Sequence, residues 1–144
     1  MLIGQYESKL TDKERISVPK KFREELGEKL VIARWYEKCL VLVSTETWRG
    51  LLKRLTGSTD LVIEPIRNID RFIFGSAYEL KPDGQGRFIL PGSLKEYADI
   101  KNEVIFVGLS DRVEIWDKGE WQKLESEVEE KAAKAVERLA KENH

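Results

Sequence analysis

An arginine at the junction of a polar turn and a strand can project its side chain into a groove of a nucleic acid, and Arg15 occupies such a place. It follows the turn-like Thr11-Asp12-Lys13-Glu14 and opens the alternating run Arg15-Ile16-Ser17-Val18. Its planar guanidinium fork suits bidentate contact with O6 and N7 of guanine, worth roughly 1–3 kcal/mol of base discrimination. Between Lys9 and Arg23 stand six bases against two acids. Lys9, Lys13, Lys20, Lys21 and Arg23 are therefore candidates to neutralise phosphates, which positions a protein on a duplex without specifying sequence. A second use of Arg15 competes with the first, namely bracing its own hairpin through a carboxylate. The same two uses compete at Arg87, which follows Asp83 by four residues, a spacing that suits an internal ion pair. Thr11 precedes Arg15 at that spacing, so no acid there draws Arg15 inward.

Other chemistries find little support. The formal net charge of −1 gives no overall bias toward nucleic acid; the polarity along the chain carries the signal, basic early and mildly acidic from Asp117 onward. The only histidine, His144, is the last residue, and the only cysteine, Cys39, lies in the apolar run Cys39-Leu40-Val41-Leu42-Val43, where a small buried thiol is expected. One cysteine forms no intrachain disulfide and fits a reducing cytoplasm. Gly84-Gln85-Gly86 is too short for a phosphate-binding loop and reads as a turn. The apolar runs are too short to span a bilayer, and Met1 to Tyr6 lacks the pattern of a secretory signal. The expectation is a protein that is not an enzyme, with no metal, cofactor, small-molecule substrate or membrane contact. The rival is a protein-binding, antitoxin-like module that uses the long helix at the end of the sequence.

The chain repeats itself. At an offset of 72, Tyr6, Glu7, Lys9, Arg15, Pro19 and Glu24 fall on Tyr78, Glu79, Lys81, Arg87, Pro91 and Glu96. After a one-residue insertion, Val31, Ile32, Trp48 and Leu51 fall on Val104, Ile105, Trp121 and Leu124. Collinear matches of this kind mark a duplication.

Each copy predicts the same elements. A short strand (near Tyr6 to Leu10, and Tyr78 to Lys81) leads through a turn into a second strand that ends at Pro19 or Pro91. Proline suits a helix start, so Lys20 to Leu26 and Gly92 to Ala98 are predicted short helices with Phe22 and Leu94 as buried anchors. Two hairpins follow, Leu30 to Arg34 with Leu40 to Val43, and Val104 to Gly108 with Arg112 to Trp116. Ser44 and Asp117 are predicted N-caps of closing helices, and Asp117 has Glu120 at capping-box spacing. Trp48, Leu51, Leu52 and Leu55 form one apolar stripe; Trp121, Leu124, Val128, Ala132, Val136 and Leu139 form another, expected to pack on the core or else to meet a partner. Gly57 to Asp60 reads as a loop, and Pro65 opens a short helix with Ile66, Ile69 and Ile73 inward.

The predicted class is α+β: two tandem β-β-α-β-β modules whose eight strands interleave into one closed β-barrel core with pseudo-two-fold symmetry and flanking helices. The expected divisions are module one at 5–47, a helical connection at 48–75, module two at 76–119 and a C-terminal helix at 120–144.

These residues also carry a family resemblance. Leu10 to Pro19, Lys21-Phe22-Arg23, Asp83 to Pro91 and Val107 to Lys118 together resemble the MraZ family, built from two AbrB-like swapped-hairpin modules. The family pattern places an Asp four residues before an Arg in each copy. Asp83 and Arg87 keep it, whereas copy one has Thr11 for the Asp and Glu14 for the usual small residue before Arg15. The resemblance implies a cytoplasmic, nucleoid-associated transcriptional regulator that binds double-stranded DNA. It further implies recognition of direct repeats in the promoter of a division and cell-wall gene cluster that includes its own gene, mainly as a repressor. A ring-shaped homo-oligomer is implied as well.

Overall fold

The computed structural model describes residues 1–56 and 64–142. The expected Gly57 to Asp60 loop, His144, and the side chains of Leu52 and Leu55 lie outside that set. Copy one supplies β1 (Leu2–Lys9), β2 (Arg15–Ser17), α1 (Lys20–Leu26), β3 (Leu30–Arg34), β4 (Leu40–Ser44) and α2 (Thr45–Thr56). A connecting helix, α3 (Glu64–Ile73), hands the chain to β5 (Tyr78–Leu80), β6 (Arg87–Ile89), α4 (Gly92–Tyr97), β7 (Glu103–Ser110), β8 (Val113–Asp117) and α5 (Lys118–Glu142).

The two copies exchange strands. A six-stranded sheet runs β1-β7-β8-β4-β3-β5, and β2 pairs with β6 in a separate two-stranded ribbon. β1 of the first copy is thus held by β7 of the second, and β5 of the second by β3 of the first. Residues at matching positions of the repeat meet in two places, Val41 with Glu114 and Ile16 with Phe88. A pseudo-two-fold axis passes through both pairs. The swapped-hairpin core is as expected, except that the eight strands divide between a six-stranded sheet and a two-stranded ribbon.

β1 begins earlier than the sequence pattern indicated, at Leu2 rather than near Tyr6. Its early half is drawn into the sheet by the long β7, in register from Leu2 with Ser110 to Lys9 with Glu103. The backbones come unusually close there. A Cβ on Gly108 would stand 2.7 Å from the backbone nitrogen of Ile3, so only glycine fits that position without displacing β1.

Two apolar layers sandwich the sheet. Ile32, Leu40, Leu42, Phe106, Val113 and Ile115 face inward onto β2, β6, α1 and α4, in a cluster with Ile16, Phe22, Phe88 and Leu94. Val31, Ala33, Val41, Val43, Ile105 and Val107 face the other way, in a cluster with Trp35, Cys39, Leu51, Ile73 and Trp116. Burial on both faces explains why these strands read as unbroken apolar runs. Ile66 and Ile73 of α3 are buried and Ile69 is partly so, as their spacing predicts. Both N-caps form: the Thr47 amide donates to Ser44 Oγ at 3.1 Å and the Glu120 amide to Asp117 Oδ2 at 3.2 Å. Glu120 does not complete a capping box in the bonds seen here; it pairs with Lys123 at 3.5 Å.

The last helix corrects an expectation. Trp121 lies 5.6 Å from the Trp116 ring, and Leu124 is partly buried, so the first turns of α5 dock as predicted. Beyond them the stripe leaves the body of the protein: Val128, Val136 and Leu139 are exposed by 41%, 67% and 58%. The physical reason is reach. A helix of 25 residues is about 37 Å long, and only its first turns lie over the sheet. No helix among the described residues is long and apolar enough to cross a membrane.

Candidate nucleic-acid interface

The β2–β6 ribbon places Arg15 opposite Ile89, Ile16 opposite Phe88, and Ser17 opposite Arg87. Ladder bonds continue past both strands, from the Leu90 amide to the Glu14 carbonyl (2.8 Å) and from the Val18 amide to the Gly86 carbonyl (2.9 Å). Strand alternation sends Ile16 and Phe88 into the core, where they are buried. Arg15, Ser17, Arg87 and Ile89 therefore share the opposite, outward face. The structure brings the arginines of both copies onto one ribbon, related by the pseudo-two-fold axis.

The turns that feed the ribbon are bonded alike. In copy one the Glu14 amide reaches the Thr11 carbonyl at 3.0 Å and the Thr11 amide reaches the Arg15 carbonyl at 2.9 Å; the matching Gly86–Asp83 and Asp83–Arg87 bonds are 2.9 and 3.0 Å. The residue before each arginine adopts positive φ, +60° at Glu14 and +77° at Gly86. Gly86 carries that conformation without steric cost, and glycine is needed there for a second reason: a Cβ would stand 2.3 Å from Arg23 Cδ. Glu14 adopts it as a non-glycine, and its carboxylate pairs with Lys95 at 2.9 Å. Because left-handed φ costs a non-glycine residue about 1–2 kcal/mol and an exposed ion pair returns less than about 1, Glu14→Gly is expected to stabilise the protein. After allowance for the greater unfolded-state freedom of glycine, the net gain is about 0.3 kcal/mol, read as a rise of about 1 °C in thermal midpoint. A fall would show that the Lys95 pair outweighs the strain.

The two arginines are held differently. Asp83 Oδ1 accepts from the Gln85 and Arg87 amides, each at 2.9 Å, and its Oδ2 accepts from Arg87 Nε at 2.8 Å. The Arg87 amide, then its guanidinium, hold the Asp83 carboxyl below its ordinary range, so the brace is charged at neutral pH and is lost only as pH falls through that lowered value. In copy one Thr11 Oγ1 takes over the backbone contact, accepting from the Arg15 amide at 3.2 Å. It supplies no charge, and the Arg15 guanidinium has no carboxylate partner among the described residues. The brace on Arg87 engages Nε and leaves the side chain 41% exposed.

The remaining predicted bases divide. Lys9 ends β1, Lys13 sits at the tip of the first turn, and Lys20 opens α1; all three are exposed. Lys21 is exposed as well, with its ammonium 6.0 Å from the Tyr6 ring. Arg23 is placed otherwise. Its stem lies across Gly86 of the other copy, its Nε is buried without a partner, and with Lys20 and Lys81 it lines a recess of about 660 Å³ beside the Asp83 turn. Sequence reasoning missed Lys95 as the partner of Glu14 and missed Ile89, which is 60% exposed on the ribbon opposite Arg15. The run Arg87-Phe88-Ile89-Leu90 looked continuously apolar; aligning Ile89 with Ser17 of the first copy was the signal that it faces out.

Elsewhere, Cys39 is fully buried and desolvation pushes its thiol pKa far up, which denies it a thiolate. Among the described residues no group of His, Cys, Asp and Glu is arranged to hold a metal ion.

Comparison with known proteins bears on the whole chain. Residues 1–69 and 73–143 each match the family described as "MraZ protein, putative antitoxin-like". The chain is 43% identical over 122 residues to a protein of Thermoanaerobacter sp. (strain X514), covering 85% of each. It is 36% identical over 140 residues to one of Acetivibrio thermocellus, covering 97% of each, and 39% identical over 142 residues to one of Caldicellulosiruptor saccharolyticus, covering 96% of this chain and 99% of that protein. All three are named transcriptional regulator MraZ. With both halves matched and these relatives aligned along most of its length, the chain belongs to the MraZ family.

Proposed function

We propose that this transcriptional regulator acts by binding double-stranded DNA sequence-specifically, on direct repeats in the promoter of the division and cell-wall gene cluster that includes its own gene, and mainly represses it. The observation that carries the reading is the outward face of the β2–β6 ribbon, which presents Arg15 and Arg87 about a pseudo-two-fold axis. A two-stranded ribbon fits the major groove, where guanine offers O6 and N7 to an arginine fork. Arg15, whose guanidinium has no carboxylate partner among the described residues, is the principal reader; Arg87 is oriented by Asp83 through Nε. Lys9, Lys13, Lys20 and Lys21 flank the ribbon as phosphate contacts, while Arg23 supports the turn that holds Asp83. One ribbon makes a small interface, so a ring of subunits on successive repeats, in the cytoplasm and on the nucleoid, would gain affinity through multivalency.

Gel-shift titration on the region upstream of the gene, at several salt concentrations, tests this. Binding is expected to weaken steeply with salt, with a log–log slope of about −0.9 for each phosphate contact. Absent or salt-insensitive binding would overturn the reading. The exposed Val128, Val136 and Leu139 on α5 favour a second surface for protein contact, with another copy of this chain or with a partner. A stable complex with a different protein, without salt-sensitive DNA binding, would replace the first reading with that one.

A further inference from the structure

Ile89 is 60% exposed on a ribbon face whose other members are Arg15, Ser17 and Arg87. Nothing in the fold accounts for that exposure, since Ile16 and Phe88 already supply the inward side of the ribbon. At the matching position of copy one stands Ser17, so the two halves of an otherwise symmetric face differ here in chemistry. The ladder bonds at 14/90 and 18/86 make Arg15 and Ile89 a non-hydrogen-bonded pair, the arrangement in which facing side chains stand closest. Across such a pair Cβ atoms are about 4.5–5.5 Å apart, close enough for the two side chains to reach neighbouring base pairs, which rise about 3.4 Å per step.

We propose that Ile89 is a specificity-determining residue that packs on the C5-methyl group of a thymine adjacent to the base read by Arg15. This rests on the DNA-binding reading above. Thymine is the only base that presents a methyl group in the major groove, and an aliphatic side chain recognises it by excluding water from both surfaces. An arginine and an isoleucine side by side then read a guanine and a thymine as a unit. On the other side of the axis, Arg87 stands with Ser17, whose hydroxyl donates or accepts and discriminates little. The ribbon is thereby polar in its reading, which suits repeats that all point the same way.

The test uses the full chain and the upstream DNA fragment, with thymines inside the footprint replaced one at a time by deoxyuridine, which lacks only the methyl group. Wild-type protein is expected to lose roughly three- to tenfold in affinity at one such position, the scale of one methyl group taken from water. Ile89→Ala should bind the normal fragment about as weakly as wild type binds the substituted one, and should be indifferent to the substitution; Ile89→Val should fall between. Wild-type indifference to every substitution would overturn the proposal, as would an Ile89→Ala protein that loses as much affinity as wild type when the methyl group is removed. So would a changed native mass for Ile89→Ala, which would assign the side chain to a contact between subunits. If wild type bound neither DNA, the DNA-binding reading itself would fall, and this proposal with it.

Discussion

Arg15→Ala is expected to abolish promoter-specific binding while the protein stays folded and its native mass unchanged. The side chain lies on the outward face of the ribbon, and its guanidinium has no carboxylate partner among the described residues whose burial its loss would leave uncompensated. Each bidentate guanine contact is worth about 1–3 kcal/mol, or roughly 5- to 150-fold, and an oligomer multiplies the loss across its sites. Binding to unrelated DNA should persist, because the lysines that meet phosphates remain. Arg15→Lys should recover little, since an ammonium keeps the charge and loses the fork. Parallel anisotropy titrations on promoter and scrambled fragments, with circular dichroism and native mass as controls, decide the matter. If the preference for promoter DNA survives either substitution, another residue reads the sequence.

Phe22→Ala should have the largest effect on stability. The ring projects from α1 into the core, is fully buried there, and meets Tyr6 edge-on at 5.1 Å. Removing such a side chain costs about 3–5 kcal/mol, a large share of the roughly 5–15 that holds a domain together. The denaturant midpoint should fall sharply at unchanged slope. The consequence extends to the interface, since α1 carries Lys20, Lys21 and Arg23, the last packed across the turn that holds Asp83. A loss below about 1 kcal/mol would mean that neighbouring side chains collapse into the space.

Much of this arrangement was legible in the sequence because it is periodic or locally coded. The start of α1 follows from Pro19, the caps from Ser44 and Asp117, and the buried thiol from the run around Cys39. The swapped core followed from the duplication together with the family resemblance. What escaped depends on contacts between distant segments. No local pattern says that Ile16 meets Phe88 across the two copies, and Ile89 is exposed only because of that pairing. Leu2-Ile3-Gly4-Gln5 has no strand alternation; β7 makes it a strand. Glu14 takes left-handed φ because the turn geometry demands it, against its own preference. The stripe on α5 is apolar by its spacing, but periodicity does not reveal where the body beneath it ends.

The exchange of β1 and β5 between the copies also sets a timetable for synthesis. β1 leaves the ribosome first, yet its ladder partner spans Glu103 to Ser110, so it waits for about a hundred further residues, roughly 5–20 s at bacterial elongation rates. During that interval the first half has its β3–β4 hairpin to pair but no strand for β1 to lie against. A chain that stopped after one copy would have to borrow the missing strand from another molecule, as a domain-swapped pair does. Joining the copies covalently turns that search into an intramolecular one. It also releases the two halves from identity: a homodimer carries every substitution twice, whereas here an isoleucine and a serine, or an aspartate and a threonine, can occupy the same place in two halves of one domain.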